Sequence, residues 1–177
     1  DPTPAMELMV MSGVAGAVLP QIAGTDGLSR LCRLDDGDPL RRLAILLSGD
    51  AEAVAERLRL SNAERDRLAG MIQPPLEPLE PAAQRRAIYK LGAALFIDLA
   101  YLAWAKTGTA CFGAMVETAR EWRAPALPVG GDDVMALGVN SGPEVGRLLD
   151  AVEEWWIDGD FRANREAALE KLAALVP

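Results

Sequence analysis

The residues of this chain that could do chemistry are basic side chains and helix starts, because the usual catalytic groups are missing. The 177 residues include no histidine, which excludes Ser–His and Cys–His nucleophile pairs, imidazole bases and histidine metal sites. Two isolated cysteines, Cys32 and Cys111, cannot form a thiolate zinc site and are expected to be buried free thiols. No Gly-x-x-x-x-Gly-Lys-Ser/Thr phosphate loop occurs either. The sequence therefore predicts no catalytic residue and no metal site.

Contact with the phosphates of a nucleic acid remains as a candidate chemistry. Arg85, Arg86 and Lys90 follow one another at positions i, i+1 and i+5 of a predicted helix. Such a basic face can bind RNA phosphates, or it can be an ordinary solvated helix surface. Asp150, Glu153 and Glu154 share a face of a later helix and are expected to be solvated.

A second candidate phosphate site is the helix start at Gly142-Pro143-Glu144. Proline at the first helical position and an acid in the first turn are start signals. The N–H groups of Gly142 and Val145, with the Arg147 side chain, could hold one phosphate at the positive end of the helix dipole. A well-capped helical hairpin without a ligand explains the same residues.

Two arginine pairs and a tryptophan pair are less specific candidates for RNA contact. Trp155 and Trp156 could stack on an unpaired base, but adjacent residues diverge by about 100° on a helix, so one of them is expected in the core. The arginine pairs are Arg41 with Arg42 and Arg120 with Arg123. The net charge of −8 opposes an RNA-binding function, because phosphate contacts need a basic surface.

The elements that must position these residues are helices. Apolar residues recur at helical spacing, with start signals at Asp38-Pro39 and at Ser61 with Glu64. We predict an all-α fold, an irregular bundle of about nine helices without a sheet, in which a long helix over about 82–106 is central. The apolar run 91–105 is too short to cross a bilayer and carries Asp98 in its middle, so we expect a cytoplasmic protein.

Four prolines between Gln73 and Pro81 interrupt any helix there. We therefore predict a helical body subdomain over 1–73, a proline-rich linker over 74–81 and a helical tail subdomain over 82–177 that contains the Gly-Pro hairpin.

The glycine-rich segment around the hairpin resembles the C-terminal region of the bacterial class II tRNA nucleotidyltransferases, the CCA-adding enzymes and their poly(A) polymerase relatives. That family has a pattern close to G-x-D-L-x-x-L-G-x-x-x-G-P-x-[IV]-G-x-x-L ahead of a helix rich in tryptophan and acids. The matching residues here are Gly131, Asp132 or Asp133, Val134, Leu137, Gly138, Gly142, Pro143, Val145, Gly146 and Leu149, followed by Asp150 to Trp156. Weaker likeness to the alphaproteobacterial branch extends over nearly the whole chain.

The resemblance implies a tRNA-binding body and tail whose catalytic head is absent from this chain. In the family, catalysis needs a Gly-Ser turn followed by a paired Asp-x-Asp that binds magnesium, and a Glu-Asp-x-x-Arg that selects the nucleotide. That combination does not occur here, so the fragment alone is expected to be inactive and to bind no cofactor. Magnesium, CTP and ATP are expected for the missing N-terminal catalytic domain, and tRNA and that domain are the expected partners.

Two alternatives to a CCA-adding enzyme remain open. The chain could be the same region of a bacterial poly(A) polymerase, since the residues that choose between CCA, partial CCA and poly(A) addition would lie in the missing head. It could also be a helical scaffold that binds protein, which the acidic composition favours. Loss of a head domain would expose apolar surface, through which two copies could form a homodimer.

Overall fold

The computed structural model describes residues 1–139 and 142–176 and shows twelve α-helices in that part of the chain. In order they are α1 (Thr3–Met11), α2 (Val14–Val18), α3 (Leu28–Leu34), α4 (Pro39–Leu46), α5 (Ala51–Leu58), α6 (Asn62–Met71), α7 (Pro81–Leu91), α8 (Ala93–Thr107), α9 (Cys111–Glu121), α10 (Gly131–Ala136), α11 (Pro143–Asp158) and α12 (Arg165–Ala173). One antiparallel bridge, between Ile22 and Leu47, is the only strand-like pairing among the described residues. The predicted all-α fold is confirmed.

The prediction of about nine helices is wrong, because glycines divide segments that look continuous in the sequence. Gly92 has φ 79° and ψ 148°, a conformation that breaks a helix and that residues with a side chain rarely adopt. It splits the predicted helix over 82–106 into α7 and α8. Gly13, with φ 78°, separates α1 from α2 in the same way.

The helices group into two compact units. Unit 1 comprises Asp1–Glu80 and Leu91–Trp122, and unit 2 comprises Pro81–Lys90 and Arg123–Pro177. The subdomains predicted from the proline-rich linker, 1–73 and 82–177, do not coincide with these units, because residues 91–122 pack with the first. The division therefore follows packing around α8 as well as the proline-rich stretch.

Unit 1 is built around α8, which packs against α3, α4, α6 and α9. Its buried side chains include Phe96, Ala100 and Leu102, so the expected central position holds for this half of the predicted helix. Removal of apolar surface from water on several sides of one helix is the main stabilising effect here. The rest of the core comes from the helices around it, with Leu28, Leu31, Val54, Leu68 and Val116 among its most buried residues.

An ionic network is buried within unit 1. The carboxylate of Asp98, 1% exposed, accepts hydrogen bonds from Nε and Nη2 of Arg41 at 3.0 and 2.8 Å. It also accepts from Nε and Nη2 of Arg67, at 2.7 and 2.8 Å. Burial raises the pKa of Asp38, but the N–H of Arg41 and the Arg67 guanidinium outweigh burial, and the pKa lies below its ordinary value. Four charged side chains thus tie α4, α6 and α8 together.

Unit 2 has its own core between α10, α11 and α12. Val134, Leu148, Val152, Ala168 and Leu172 are its fully buried residues. Leu148 and Val152 on α11, and Ala168 and Leu172 on α12, are four residues apart, as expected for one buried face of an amphipathic helix.

The predicted helix starts are confirmed where side chains act as caps. Asp38 accepts from the N–H of Arg41 at the start of α4. Ser61 and Glu64 form a reciprocal capping box at the start of α6. Within residues 1–139 and 142–176, none of the helices combines the length and the apolar character that crossing a membrane requires.

Candidate nucleic-acid interface

The predicted basic face of α7 is present in unit 2, but every one of its three cations is paired with a carboxylate of residues 153–160. Arg85 holds Asp160 with two parallel hydrogen bonds of 2.7 Å, from Nε and Nη2 to the two carboxylate oxygens. This fork geometry is the strongest arrangement available to an arginine–carboxylate pair. The hydrogen bond from Arg85 lowers the pKa of Asp160 below its ordinary value. Arg85 is therefore engaged through both Nε and Nη2.

Arg86 and Lys90 share carboxylates of α11. Nη2 of Arg86 lies 2.7 Å from Glu154 and its Nη1 contacts Asp158. Nζ of Lys90 lies 2.7 Å from Glu154 and 3.1 Å from Glu153. Hydrogen bonding to Lys90 lowers the pKa of Glu154, and the same contact raises the pKa of Lys90. Glu153 and Glu154, expected to be solvated, are 28% and 46% exposed and are also ion-pair partners of α7.

Apolar and aromatic contacts lie beside these ion pairs. Ile88 is buried, and the ring of Tyr89 packs against Trp156 and Phe161 with centroid separations of 6.1 and 5.2 Å. The Tyr89 hydroxyl donates to Glu153 at 2.8 Å. Burial of the hydroxyl is the larger cause and this hydrogen bond the second cause of a pKa of Tyr89 above its ordinary value. The contact between the Tyr89 and Trp156 rings joins α7 to α11 without involving a charged group.

The predicted phosphate site at the start of α11 is partly outside the described residues, because Asn140 and Ser141 of the glycine turn are not described. Gly142 has φ 139°, which favours glycine. The N–H of Val145 donates to the carbonyl of Gly142 at 3.1 Å, and the Arg147 side chain pairs with Glu144, Nε to Oε2, at 2.9 Å. The donor and the cation assigned to a phosphate thus have protein partners in this structure.

The two groups of predicted residues lie apart along α11. The cations of α7 face Glu153 and the residues after it, whereas Gly142, Val145 and Arg147 belong to the first turns. Eight residues separate Val145 from Glu153, which is roughly 12 Å along a helix. The structure therefore places the six residues in one unit but does not bring them into one site.

The remaining candidates divide between core and surface. Trp156 is buried, with its Nε1–H donating to the carbonyl of Ala163 at 3.0 Å, and Trp155 is half-buried, so the expected divergence of the two rings is confirmed. Arg41 cannot contact RNA as proposed, because it is 5% exposed and bound to Asp98.

Cys32 is half-buried and Cys111 is exposed, which corrects the expectation that both thiols are buried. Cys111 opens α9, where its side chain faces solvent.

Sequence reasoning did not find the acidic partners of α7. Their only signal is charge: three cations in one short helix and four acids between Glu153 and Asp160. In residues 1–139 and 142–176, no group of three or more His, Cys, Asp or Glu side chains is arranged to hold a metal ion. The chemistry that this arrangement offers is electrostatic recognition of anions. In the structure its three cations are already paired with carboxylates of the same unit.

Comparison with known proteins relates part of the chain to CCA-adding enzymes. Segments of 55 residues are 31% and 29% identical to the mitochondrial CCA tRNA nucleotidyltransferase 1 of Mus musculus and Homo sapiens, covering 31% of this chain and 13% of each enzyme. A 74-residue segment is 40% identical to a 28 kDa protein in the petA 5′ region of Rhodospirillum rubrum, covering 36% of this chain and 29% of that protein. No protein-family model matches.

These similarities support a distant relation to the CCA-adding tRNA nucleotidyltransferases. The matched segments span less than a third of the length of each relative.

Proposed function

We propose that this chain is the tRNA-binding helical body and tail of a nucleotidyltransferase of the bacterial class II, alphaproteobacterial type, which adds CCA to tRNA 3′ ends. The observation that carries the proposal is the local similarity to three mitochondrial CCA tRNA nucleotidyltransferases. The all-α architecture agrees with the helical region that the glycine-rich motif resembles.

In the proposed enzyme this chain positions the tRNA, and a catalytic domain outside it transfers nucleotides from CTP and ATP with magnesium. The helical region would hold the acceptor and TΨC arms through their phosphates and shape, because duplex RNA offers few base edges to side chains. This function needs cations but few base-reading residues. The candidate contacts remain Arg85, Arg86, Lys90, Arg147 and the N–H groups of Gly142 and Val145.

Titration of fluorescently labelled tRNA with the 177-residue chain tests the proposal. We expect binding at about 50 mM salt that weakens as salt rises towards about 200 mM, because each phosphate contact releases counterions. Duplex DNA of equal charge is the control and is expected to bind more weakly, since it lacks A-form shape and 2′-hydroxyls. Undetectable binding at low salt, or binding that salt does not affect, would contradict the proposal.

A second candidate, a helical scaffold that binds protein, is favoured by the apolar surface of α1 and α2. Five of the exposed large apolar residues in the described part of the chain fall within eleven positions: Leu8, Val10, Met11, Val14 and Val18. Leu8 and Met11 are 67% and 85% exposed. Contiguous exposed apolar patches commonly mark contact with another protein.

Light scattering of the wild type and of one doubly substituted variant separates this candidate from the first. If the apolar surface joins two copies, the wild-type chain is a dimer, and the variant that carries both Leu8→Glu and Met11→Glu is a monomer. A monomeric wild type whose tRNA affinity is unchanged by the two substitutions would leave the scaffold candidate without support as a homodimer.

A further inference from the structure

Exposure and bonding geometry divide the cations of α7 into two kinds. Arg85 and Asp160 have side chains 27% and 17% exposed and form a two-bonded pair. Arg86 is 45% exposed, and its partners Glu154 and Asp158 are 46% and 66% exposed. Exposed pairs gain little from their attraction and are screened by salt, whereas shielded pairs are screened less. Arg85 is therefore an anchor, and Arg86 is held by partners that solvent and ions can reach.

Lys90 belongs with Arg86. Its side chain is 38% exposed, and its nearest partner, Glu154, is shared with Arg86. Locally, two cations face three carboxylates, those of Glu153, Glu154 and Asp158. The carboxylates outnumber the cations by one, so an approaching phosphate is repelled unless carboxylates are displaced.

Displacement requires no change of the backbone. The ring of Tyr89 contacts Trp156 of α11, and Arg85 binds Asp160 just after α11. These contacts do not involve Arg86 or Lys90, so those two side chains can exchange partners while α7 stays in place. Exchange of a carboxylate for a phosphate preserves the charge-assisted hydrogen bonds that a guanidinium and an ammonium make.

We propose that Glu154 and Asp158 are a displaceable anionic cover over a phosphate-binding pair, Arg86 and Lys90. This narrows the candidate contacts of α7 to these two cations, because Arg85 is committed to Asp160 and positions the helix. The ligand class is a polyphosphate backbone, which is tRNA under the proposed function on which this inference rests. The cover competes with weakly binding anions and yields to a chain of phosphates, because several phosphates act together in a polyanion. It also accounts for a basic face within a chain of net charge −8.

The test removes the cover and measures affinity for tRNA. Glu154→Gln with Asp158→Asn removes both carboxylate partners of Arg86 and the nearer partner of Lys90. Glu153 keeps its contacts with Tyr89 and Lys90. The matched control, Glu166→Gln with Glu170→Gln, makes the same change in net charge at two exposed residues of α12. We expect the uncovered variant to bind tRNA at least about 3-fold more tightly than the control, with a steeper salt dependence because the freed cations release counterions from RNA.

A second pair of substitutions shows whether the gain passes through the two cations. Adding Arg86→Gln and Lys90→Gln to the uncovered variant is expected to abolish the gain. The proposed cover would be refuted if the uncovered variant and the control bound tRNA equally. It would also be refuted if the gain in tRNA affinity persisted without the two cations. Helical circular dichroism of each variant confirms that α7 and α11 remain folded.

Inorganic polyphosphate distinguishes failure of the cover from failure of the proposed function. If the wild type binds tRNA but uncovering changes nothing, the cover is wrong and the proposed function stands. If no variant binds tRNA but polyphosphate shows the expected order of affinities, the cover stands and the proposed function is wrong. If neither polyanion responds to uncovering, the cover is wrong.

Discussion

Replacement of Asp98 by alanine is expected to destabilise unit 1 more than any exposed ion-pair substitution in it. Asp98 lies in the middle of the apolar helix α8 and accepts four hydrogen bonds from Arg41 and Arg67. Its removal leaves Arg41, 5% exposed, without its closest partner. Breaking a buried pair by removing one member costs about 3–5 kcal/mol, because an uncompensated charge stays buried.

The residual contacts place the expected cost at the lower end of that range. Arg41 keeps Asp36 at 3.3 Å and Asp35 at 3.6 Å from its Nη1, and Arg67 keeps Asp38 at 2.7 Å. We therefore expect Asp98→Ala to lower the free energy of unfolding by about 3 kcal/mol. Asp98→Asn retains the shape but loses the charge, and is expected to cost about 1.5–3 kcal/mol, the usual range for hydrogen bonds to charged groups.

Urea denaturation followed by circular dichroism gives both values, and hydrogen exchange of residues 93–107 localises the effect to α8. The control is Glu52→Gln, which breaks the exposed pair of Glu52 with Arg65 and is expected to cost under about 1 kcal/mol. If Asp98→Ala fails to fold, Asp98→Asn carries the comparison. A cost for Asp98→Ala no larger than that of Glu52→Gln would refute the account of the buried network.

Two further perturbations test packing and charge. A β-carbon on Gly113 would lie 2.7 Å from the Trp104 ring, so Gly113→Ala is expected to cost about 1–3 kcal/mol in urea denaturation. Gly146→Ala in α11 meets no atom within 4 Å and is expected to stabilise by up to about 1 kcal/mol; the opposite order of the two would contradict the packing. Arg85 lowers the pKa of Asp160, so their pair stabilises unit 2 above the ordinary aspartate pKa of about 4 and loses this effect as pH falls further. The stability difference between wild type and Asp160→Asn should therefore shrink between pH 7 and pH 3, and a constant difference would show that the pair is not the cause.

Local signals predicted the parts of the fold that depend on neighbouring residues. The capping box of Ser61 and Glu64 needs only two residues three positions apart, so its sequence pattern is sufficient. The divergence of Trp155 and Trp156 follows from helix geometry alone. Such features do not depend on which helices later meet.

Features that depend on tertiary contacts could not be predicted in the same way. Gly92 within a helical pattern is compatible with a continuous helix, and only its left-handed φ shows the break between α7 and α8. Fifty-seven residues separate Arg41 from Asp98 and 75 separate Arg85 from Asp160. Opposite charges in a sequence do not specify their partners, so the basic face of α7 could be predicted but its neutralisation could not.

Competition between labelled tRNA and two unlabelled RNA fragments for this chain tests directly whether it holds the acceptor and TΨC arms. One is a minihelix of the stacked acceptor and TΨC arms, and the other is an anticodon stem-loop. If the chain holds these arms, the minihelix displaces labelled tRNA at concentrations close to those of intact unlabelled tRNA, while the stem-loop competes far more weakly. Equal competition by both fragments, or none by the minihelix, would contradict the proposed function.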